Sequence, residues 1–253
     1  MTVIRPYYST ESASALHYDL VAFADPAVQL DVDLYAHMAK AGGSILELGA
    51  GTGRVAIPLA ERGFEVTGLD IAQGMLVRAE AKRATLPAEV AVRLHFVRGD
   101  MRSLALGRQF DAIIASYFTF AHVQPSAAWK QAFAGMARHL APGGVIALHL
   151  PDAEPMKRPA PSPDIPVFRK PIEGGVLTLF VAAQTFNEKV GRFDLLLDYV
   201  TSTDKGVETA RSRERYTLFV GDPEPYAAKA GLRPAGPPEA LGATGFIHKF
   251  VKC

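Results

Sequence analysis

The sequence predicts an α/β protein with a doubly wound, mostly parallel sheet and an inserted antiparallel β cap. Short apolar runs alternate with segments of helical spacing over roughly residues 45–150, which is typical of a parallel sheet covered by helices on both faces. From about residue 176 the hydrophobic period changes to two, as expected of antiparallel strands with one solvated side. With 253 residues the chain is long enough for both units.

The individual elements follow from the same patterns. Runs of helix formers that end at glycine or proline indicate helices, whereas continuous or alternating apolar runs indicate strands. Helices are predicted over 55–62, 73–84, 126–139 and 222–230, and helical spacing also marks 28–38. Strands are predicted over 45–48, 65–70, 90–97, 110–115, 145–150, 176–186, 192–201, 207–219 and 245–252.

The first strand leads into a loop with glycine at every second position, Gly49, Gly51 and Gly53. Glycine lets a ligand lie against the main chain without meeting a Cβ. The G-x-G-x-G spacing differs from the G-x-G-x-x-G of dinucleotide sites, and Glu47 would repel a pyrophosphate, so a cationic ligand is favoured. Asp70 ends the next strand, at a separation from the loop that fits an acid reaching ribose hydroxyls.

The bulk composition favours small-molecule partners. The 27 basic and 26 acidic residues give a formal charge of +1, which offers no electrostatic case for nucleic acid or an anionic membrane. Cys253 is the only cysteine, so an internal disulfide is excluded and a reducing compartment is the simple interpretation. No apolar run approaches the roughly 18 residues of a membrane span, and a cytoplasmic protein is expected.

Composition also suggests a division into domains. We expect an N-terminal helical lid over 1–40, a nucleotide-binding sheet domain over 41–151 and 216–253, and an inserted β cap for substrate over 152–215. Prolines crowd residues 151–171, which form either a stiff linker or a flap near the site. An exposed edge of the cap could pair with a second copy, so a homodimer is a further expectation.

Five motifs follow one another along the chain: E-L-G-A-G-T-G-R at 47–54, G-L-D at 68–70, G-D-M-R at 99–102, F-D-A-I-I at 110–114 and L-A-P-G-G at 140–144. In this order they resemble the class I S-adenosylmethionine-dependent methyltransferases over roughly residues 40–150. The resemblance implies a Rossmann-like, seven-stranded sheet, S-adenosyl-L-methionine as cofactor and S-adenosyl-L-homocysteine as product.

The same resemblance implies which residues bind the cofactor. The glycine loop passes the methionine part, Glu47 orders that loop near the ammonium, and Asp70 meets the ribose diol. Ile71 and Met101 flank adenine, and Asp100 meets its exocyclic amine. Helix capping is the alternative for the two aspartates, and core filling is the alternative for the methionines. The predicted set is Tyr18, Glu47, Gly49, Ala50, Gly51, Gly53, Asp70, Ile71, Met75, Asp100, Met101 and Ser116.

His122 is the candidate base for the acceptor, because it follows the fourth strand of the parallel sheet at the mouth of the crevice. The alternative is a structural histidine. The runs at 99–122 and 216–219 are similar to N,N-dimethyltransferases of nucleotide-linked amino sugars. In that family a histidine after strand four and an N-terminal tyrosine face the amine, which implies catalytic roles for His122 and Tyr8 and places Tyr18 near the cofactor.

Further substrate contacts are predicted at Tyr7 and Phe118, and at Arg211 and Arg213 of the cap. Arg211, Arg213 and Arg215 share one face of a predicted strand and could clamp a phosphate or carboxylate. The alternative is a solvated face whose arginines pair with nearby acids.

The sequence therefore predicts methyl transfer from S-adenosylmethionine to a nitrogen, or an oxygen, of a small polar metabolite by in-line displacement. No metal is expected. A rival enzyme class is an NAD-dependent oxidoreductase, which the glycine spacing and Glu47 disfavour. A second rival is a non-catalytic protein that binds the cofactor without turnover.

Overall fold

The computed structural model describes residues 4–7, 9, 12–25, 28 and 30–253. The helices in these ranges are α1 Ala13–Leu16, α2 Tyr18–Ala24, α3 Asp31–Ala36, α4 Ala56–Glu61, α5 Gln73–Arg83, α6 Ala88–Ala91, α7 Ala127–His139, α8 Ala153–Met156 and α9 Glu224–Lys229. The strands are β1 Ile4–Pro6, β2 Ser44–Leu48, β3 Glu65–Asp70, β4 Leu94–Arg98, β5 Phe110–Ala115, β6 Leu140–Pro151, β7 Phe168–Ile172, β8 Gly175–Asn187, β9 Arg192–Ser202, β10 Glu208–Phe219, β11 Leu232–Pro234, β12 Glu239–Ala240 and β13 Gly245–Lys252.

The main sheet has the order β4-β3-β2-β5-β6-β13-β11. The two-residue strand β12 is an additional partner of β13. Strands β2 to β6 pair in parallel, whereas β13 runs antiparallel to β6 and β11 antiparallel to β13. This arrangement confirms the predicted doubly wound, mostly parallel sheet. The order reverses between β2 and β5, so a crevice opens there at the carboxyl ends of the strands.

Both faces of the main sheet are covered, as the continuous apolar runs of β2 and β5 predict. Leu46 and Ile113 point to one layer, where they pack with Trp129 of α7. Ile45 and its neighbours point to the opposite layer, where they pack with Leu59 of α4. Within the described ranges, none of the helices combines the length and apolar character that crossing a bilayer requires.

The second sheet, called the cap sheet here, has the order β1-β10-β9-β8-β7. One of its faces carries an apolar cluster that packs against Ala13, Leu20 and Val21 of the N-terminal helices. The N-terminal segment therefore lies against the cap sheet and also adds β1 to it, parallel to β10. Strand β10 continues to Phe219, four residues past the predicted end of the cap. The division into domains stays a prediction.

One local prediction was wrong. Residues 90–97 do not form one strand, because Pro87 opens the helical turn α6 and the strand begins only at Leu94. Four alternating apolar residues were too few to distinguish the two-residue period of a strand from the period of a helix. The proline-rich stretch also contains a helical turn, α8, which tolerates Pro155 because the first turn needs no intrahelical N–H donor. Gln184 Nε2 of β8 donates to the Arg158 carbonyl at 2.9 Å and ties this stretch to the cap sheet.

Candidate active site

The glycine loop after β2 requires its glycines. Gly49, Gly51 and Gly53 have φ of 71°, 56° and 81°, in the left-handed region that L side chains rarely adopt. A Cβ on Gly49 would lie 2.0 Å from Thr119 Cγ2, and one on Gly51 would lie 3.4 Å from Met75 Cε. The loop thus packs directly against the segment that carries Thr119, which follows β5.

Asp70 holds the same loop from the end of β3. Its Oδ2 accepts the Gly51 N–H at 2.8 Å and its Oδ1 accepts the Ala72 N–H at 2.7 Å, just before α5. Burial raises the pKa of Asp70, and the backbone hydrogen bonds oppose that rise. The bond to Ala72 is the helix-capping contact that the sequence analysis gave as the alternative to ribose binding. The bond to Gly51 places the carboxylate beside the loop.

Glu47 lies beneath the loop, and only 1% of its surface is exposed to solvent. Ser116 Oγ donates to Glu47 Oε1 at 3.0 Å, which brings together two predicted residues from β2 and the end of β5. Burial raises the pKa of Glu47 to about 8, and the nearby Arg54 opposes that rise. Within the described residues Glu47 Oε2 has no hydrogen-bond partner, and it therefore suits a cationic or donor group of a ligand.

A buried ion pair joins the glycine loop to the N-terminal helices. Arg54 donates to the two carboxylate oxygens of Asp31 at 3.0 and 2.6 Å, with both side chains withdrawn from solvent. Nearby, Asp19 of α2 accepts a hydrogen bond from Thr52 Oγ1 at 2.5 Å and forms an ion pair with Lys82 at 2.7 Å. These contacts draw α2 over the loop, and the sequence analysis missed them because single acids in a lid form no motif.

Tyr18, predicted to lie near the cofactor, is beside the glycine loop. Its ring would lie 3.8 Å from a Cβ on Gly51, and its phenol bonds with Arg54. Burial raises the pKa of Tyr18 to about 12. Met75, also predicted, is buried beside the same glycine.

The predicted adenine contacts lie at the edge of the crevice. Asp100 accepts the Arg102 N–H at 2.8 Å and pairs with the Arg102 guanidinium at 2.5 Å, which lowers the pKa of Asp100. This is the capping contact given as the alternative. Ile71 is 60% exposed and Met101 is half-buried, so both present an apolar surface at the end of their strands.

The segment after β5 contains two strained residues, Tyr117 and Phe118, with φ of 46° and 61°. Left-handed backbone in consecutive aromatic residues is uncommon and clusters at functional sites. The strain directs Tyr117 Oη toward the lid, where it donates to Asp25 Oδ2 at 2.7 Å. Phe118, predicted to contact substrate, is buried against the His149 ring, with a centroid distance of 4.3 Å.

His122 ends the same segment and bonds to the cap sheet. Its Nδ1 lies 2.8 Å from the Thr217 carbonyl oxygen of β10. A carbonyl only accepts, so Nδ1 carries the proton and Nε2 keeps the lone pair of the neutral ring. Surrounding residues desolvate the ring and lower the pKa of His122, and the Thr217 bond opposes this effect.

Aromatic rings connect His122 to the N-terminal segment. The His122 ring meets Tyr216 edge to face at 5.1 Å, and Tyr216 meets Tyr7 in the same way at 4.7 Å. Tyr7 Oη lies 3.2 Å from Tyr199 Oη. His122 and Tyr7 also line a cavity of about 390 Å³ at this edge of the cap sheet. The structure therefore brings two predicted residues, His122 and Tyr7, to one place, whereas Tyr8 lies outside the described residues.

Arg211 and Arg213 lie on the face of β10 that also carries Arg215, and Arg215 lines the same cavity as His122 and Tyr7. They alternate along β10 with Glu214 and Tyr216, which belong to the face that meets the N-terminal segment. Both guanidinium groups bind Asp198 of β9, at 3.1 and 2.6 Å. These contacts match the alternative of a salt-bridged strand face, and the two arginines have no part in the acceptor site proposed below.

Comparison with known proteins agrees with this geometry. A family model described as "Methyltransferase domain" matches residues 45–144. The chain is 28% identical, over 91% of its length and 88% of the relative, to dTDP-3-amino-3,6-dideoxy-alpha-D-glucopyranose N,N-dimethyltransferase of Streptomyces fradiae. It is 33% identical to the cypemycin N-terminal methyltransferase of a Streptomyces species, over 56% of each chain. The chain thus covers only about half the length of that relative, and less than half of the next two curated relatives.

Solved structures share the fold. DesVI of Streptomyces venezuelae superposes with a TM-score of 0.71 at 19% identity, over 96% of this chain and 100% of that one. The sugar N-methyltransferase KedS8 from a Streptoalloteichus species superposes with a TM-score of 0.68 at 21% identity, over 100% and 97% of the two chains. Together with the family match, they confirm the predicted resemblance and do not favour an NAD-dependent oxidoreductase.

Proposed function

We propose that this protein methylates an amino nitrogen of a small polar acceptor, because residues 45–144 match a methyltransferase domain and the chain shares the fold of the solved DesVI and KedS8 structures. The observation that carries the proposal is His122. Its tautomer is fixed by Thr217, and it follows the strand whose loop packs on Gly49. The names of the relatives, an amino-sugar N,N-dimethyltransferase and the cypemycin N-terminal methyltransferase, support an amine acceptor.

The residues around the glycine loop suit S-adenosylmethionine. When bound, this cofactor supplies an electrophilic methyl group on a sulfonium. Gly49 and Gly51 allow close approach to the main chain, and the partnerless Glu47 Oε2 suits the cofactor's ammonium. Asp70 would accept the ribose hydroxyls, and Tyr18 would close the loop from the lid side.

His122 would act on the acceptor rather than on the cofactor. His122 Nε2 would accept a proton from an acceptor ammonium, which would leave the nitrogen lone pair available to take the methyl group that the cofactor would supply. The lowered pKa keeps His122 neutral near pH 7 and able to accept that proton. Tyr7 and Tyr216 would form the wall of the acceptor site. The catalytic role of Tyr8 stays a prediction.

Replacement of His122 by Ala tests the proposal. Transfer of labelled methyl from S-adenosylmethionine is measured to two amines, the dTDP-amino sugar of the Streptomyces fradiae relative and a peptide with a free N-terminus. We expect turnover to fall by about 10²- to 10⁴-fold, with nearly unchanged affinity for S-adenosylhomocysteine. His95→Ala, at an exposed histidine of β4, is the matched control and should keep full activity. An equal loss of cofactor affinity in His122→Ala would identify a structural histidine instead.

A further inference from the structure

The cavity that contains His122 and Tyr7 has two guanidinium groups in its wall. Arg5 of β1 and Arg215 of β10 line this cavity of about 390 Å³, together with the apolar ring of Phe219. Ligand sites in proteins are concave spaces of roughly 300–1,000 Å³, in which a few polar groups fix the orientation of the ligand. His122 and Tyr7 have roles in the proposed function, whereas the two arginines have none.

The cavity lies where β1 stops covering the edge of β10. Pro6, the last residue of β1, is the register partner of Arg215. Two residues further along β10, the Thr217 carbonyl oxygen accepts a hydrogen bond from His122 Nδ1 at 2.8 Å. Successive residues of a strand rise about 3.3 Å, so Arg215 and Thr217 are roughly 7 Å apart along β10. A small acceptor can therefore reach from Arg215 to the His122 ring within one cavity.

Asp194 of β9, an acid whose carboxylate interacts with the charge of Arg215, already has other partners. Its Oδ1 accepts hydrogen bonds from Thr217 Oγ1 at 2.6 Å and from Arg192 Nη2 at 3.0 Å. Although burial opposes it, these bonds and the charge of Arg215 lower the pKa of Asp194. The other two arginines on this face of β10 share Asp198. Among the residues that the structure describes, Arg215 itself forms no ion pair.

The acid opposite Arg5 is also engaged elsewhere. Glu214, the register partner of Arg5, is 0% exposed. Its carboxylate accepts hydrogen bonds from the Ala13 N–H at 2.6 Å and from Ser212 Oγ at 3.0 Å. Arg5 is exposed and, within the described ranges, has no ion-pair partner. The wall of the cavity therefore carries two guanidinium groups whose charges these acids do not pair.

Two guanidinium groups in one cavity suit an oxyanion. A guanidinium presents its N–H donors in a planar fork that matches the oxygens of a carboxylate or a phosphate. The same charges repel an ammonium, so a simple amine gains nothing from this wall. An amine that also carries an oxyanion is attracted to it. The positive wall therefore favours acceptors that combine both groups.

We propose that Arg5 and Arg215 form an oxyanion subsite, which binds a carboxylate or phosphate group of the acceptor and holds the acceptor's amine at His122. The inference rests on the proposed function. It assigns the acceptor to the amines that carry an acidic group, and it gives this role to Arg215 rather than to Arg211 and Arg213, whose charges Asp198 already pairs.

Calorimetry with matched probes tests this subsite without knowledge of the natural acceptor. Phenyl phosphate, benzoate and neutral benzamide are each titrated into the protein in the presence of S-adenosylhomocysteine. The wild-type protein should bind at least one of the two anions about tenfold more tightly than benzamide, or by about 1.4 kcal/mol. The anion that binds more tightly identifies the acidic group of the acceptor as a phosphate or a carboxylate.

Three substitutions assign the preference to the cavity. Arg5→Gln and Arg215→Gln should each remove most of the preference for the anion. Arg211→Gln is the matched control, because it removes one positive charge from the same face of β10 at a residue that does not line the cavity. It should keep the preference. Arg215→Lys retains the charge but not the fork, so its loss should be smaller than that of Arg215→Gln.

The inference is overturned if the wild-type protein binds none of the probes or binds all three equally. It is also overturned if Arg5→Gln and Arg215→Gln keep the preference, or if Arg211→Gln loses as much of it, which would indicate a general charge effect. Methyl transfer to simple amines without any anion preference would overturn the subsite and leave the proposed function standing. Anion preference without methyl transfer to any amine would do the reverse.

Discussion

Replacing Asp31 by Asn should destabilise the protein strongly, because it breaks the buried pair that joins the lid to the glycine loop. Asp31 is 0% and Arg54 is 5% exposed at the side chain. The substitution leaves a guanidinium buried without its charge partner, and among the described residues Arg54 Nε already lacks a hydrogen bond. Removal of one partner from such a pair costs about 3–5 kcal/mol.

The lid supplies its own control in the Arg62–Asp33 pair, whose side chains are 41% and 62% exposed. Solvent screens that pair, so Asp33→Asn should cost at most about 1 kcal/mol. Unfolding in urea is followed by fluorescence of Trp129, the only tryptophan, which is fully buried. At this chain length the Asp31 variant should also melt roughly 6–20 °C lower.

A double variant separates lost charge pairing from lost packing. Asp31→Leu combined with Arg54→Met removes both charges and keeps most of the volume, so it should be more stable than Asp31→Asn alone. Equal, small losses of unfolding free energy in Asp31→Asn and Asp33→Asn would refute the interpretation of the Arg54–Asp31 pair as the connection between lid and loop.

Two further predictions concern the glycine loop and the acid beneath it. Gly49→Ala should lower the free energy of unfolding by about 1–3 kcal/mol, because its Cβ would overlap Thr119 at a positive φ. Gly74→Ala in α5, where a Cβ meets open space, should raise it by up to about 1 kcal/mol. Equal melting temperatures of the two variants would contradict this prediction. The folded pKa of Glu47, about 8, lies above the ordinary 4.5, so the folded state binds the extra proton and this group reduces stability as pH rises from about 5 to 8. Glu47→Gln should therefore gain stability relative to the wild-type protein across that window in urea unfolding, and a difference independent of pH would count against a buried, protonated Glu47.

Much of the fold follows from local patterns. Strands β5 and β13 begin and end at the predicted residues, because a continuous apolar run after an acid and a terminal apolar stretch leave few alternatives. Helix α7 begins after Ser126, whose hydroxyl accepts the Ala128 N–H as its N-cap. The glycine loop was predictable for the same reason, since its spacing constrains the backbone directly.

Contacts between the N-terminal segment, the segment after β5 and the cap sheet could not be predicted from local patterns. Tyr117 and Asp25 are 92 positions apart, and a single aspartate at the end of a lid helix resembles any solvated acid. The alternation of Arg211 and Arg213 revealed that they share a face but not which face meets the lid. That choice is made by the apolar side of the cap sheet, which packs on the N-terminal helices and leaves the arginines to Asp198.

Titration of ligand-free protein with S-adenosylhomocysteine, in parallel with Asp70→Ala, tests the central claim most directly. The account predicts micromolar or tighter binding to the wild-type protein, about −8 kcal/mol or better. It also predicts clearly weaker binding to the variant, because Asp70 lies against the Gly51 N–H where the cofactor ribose would bind. No measurable binding to the folded wild-type protein, or equal binding to both proteins, would contradict the placement of the cofactor at the glycine loop.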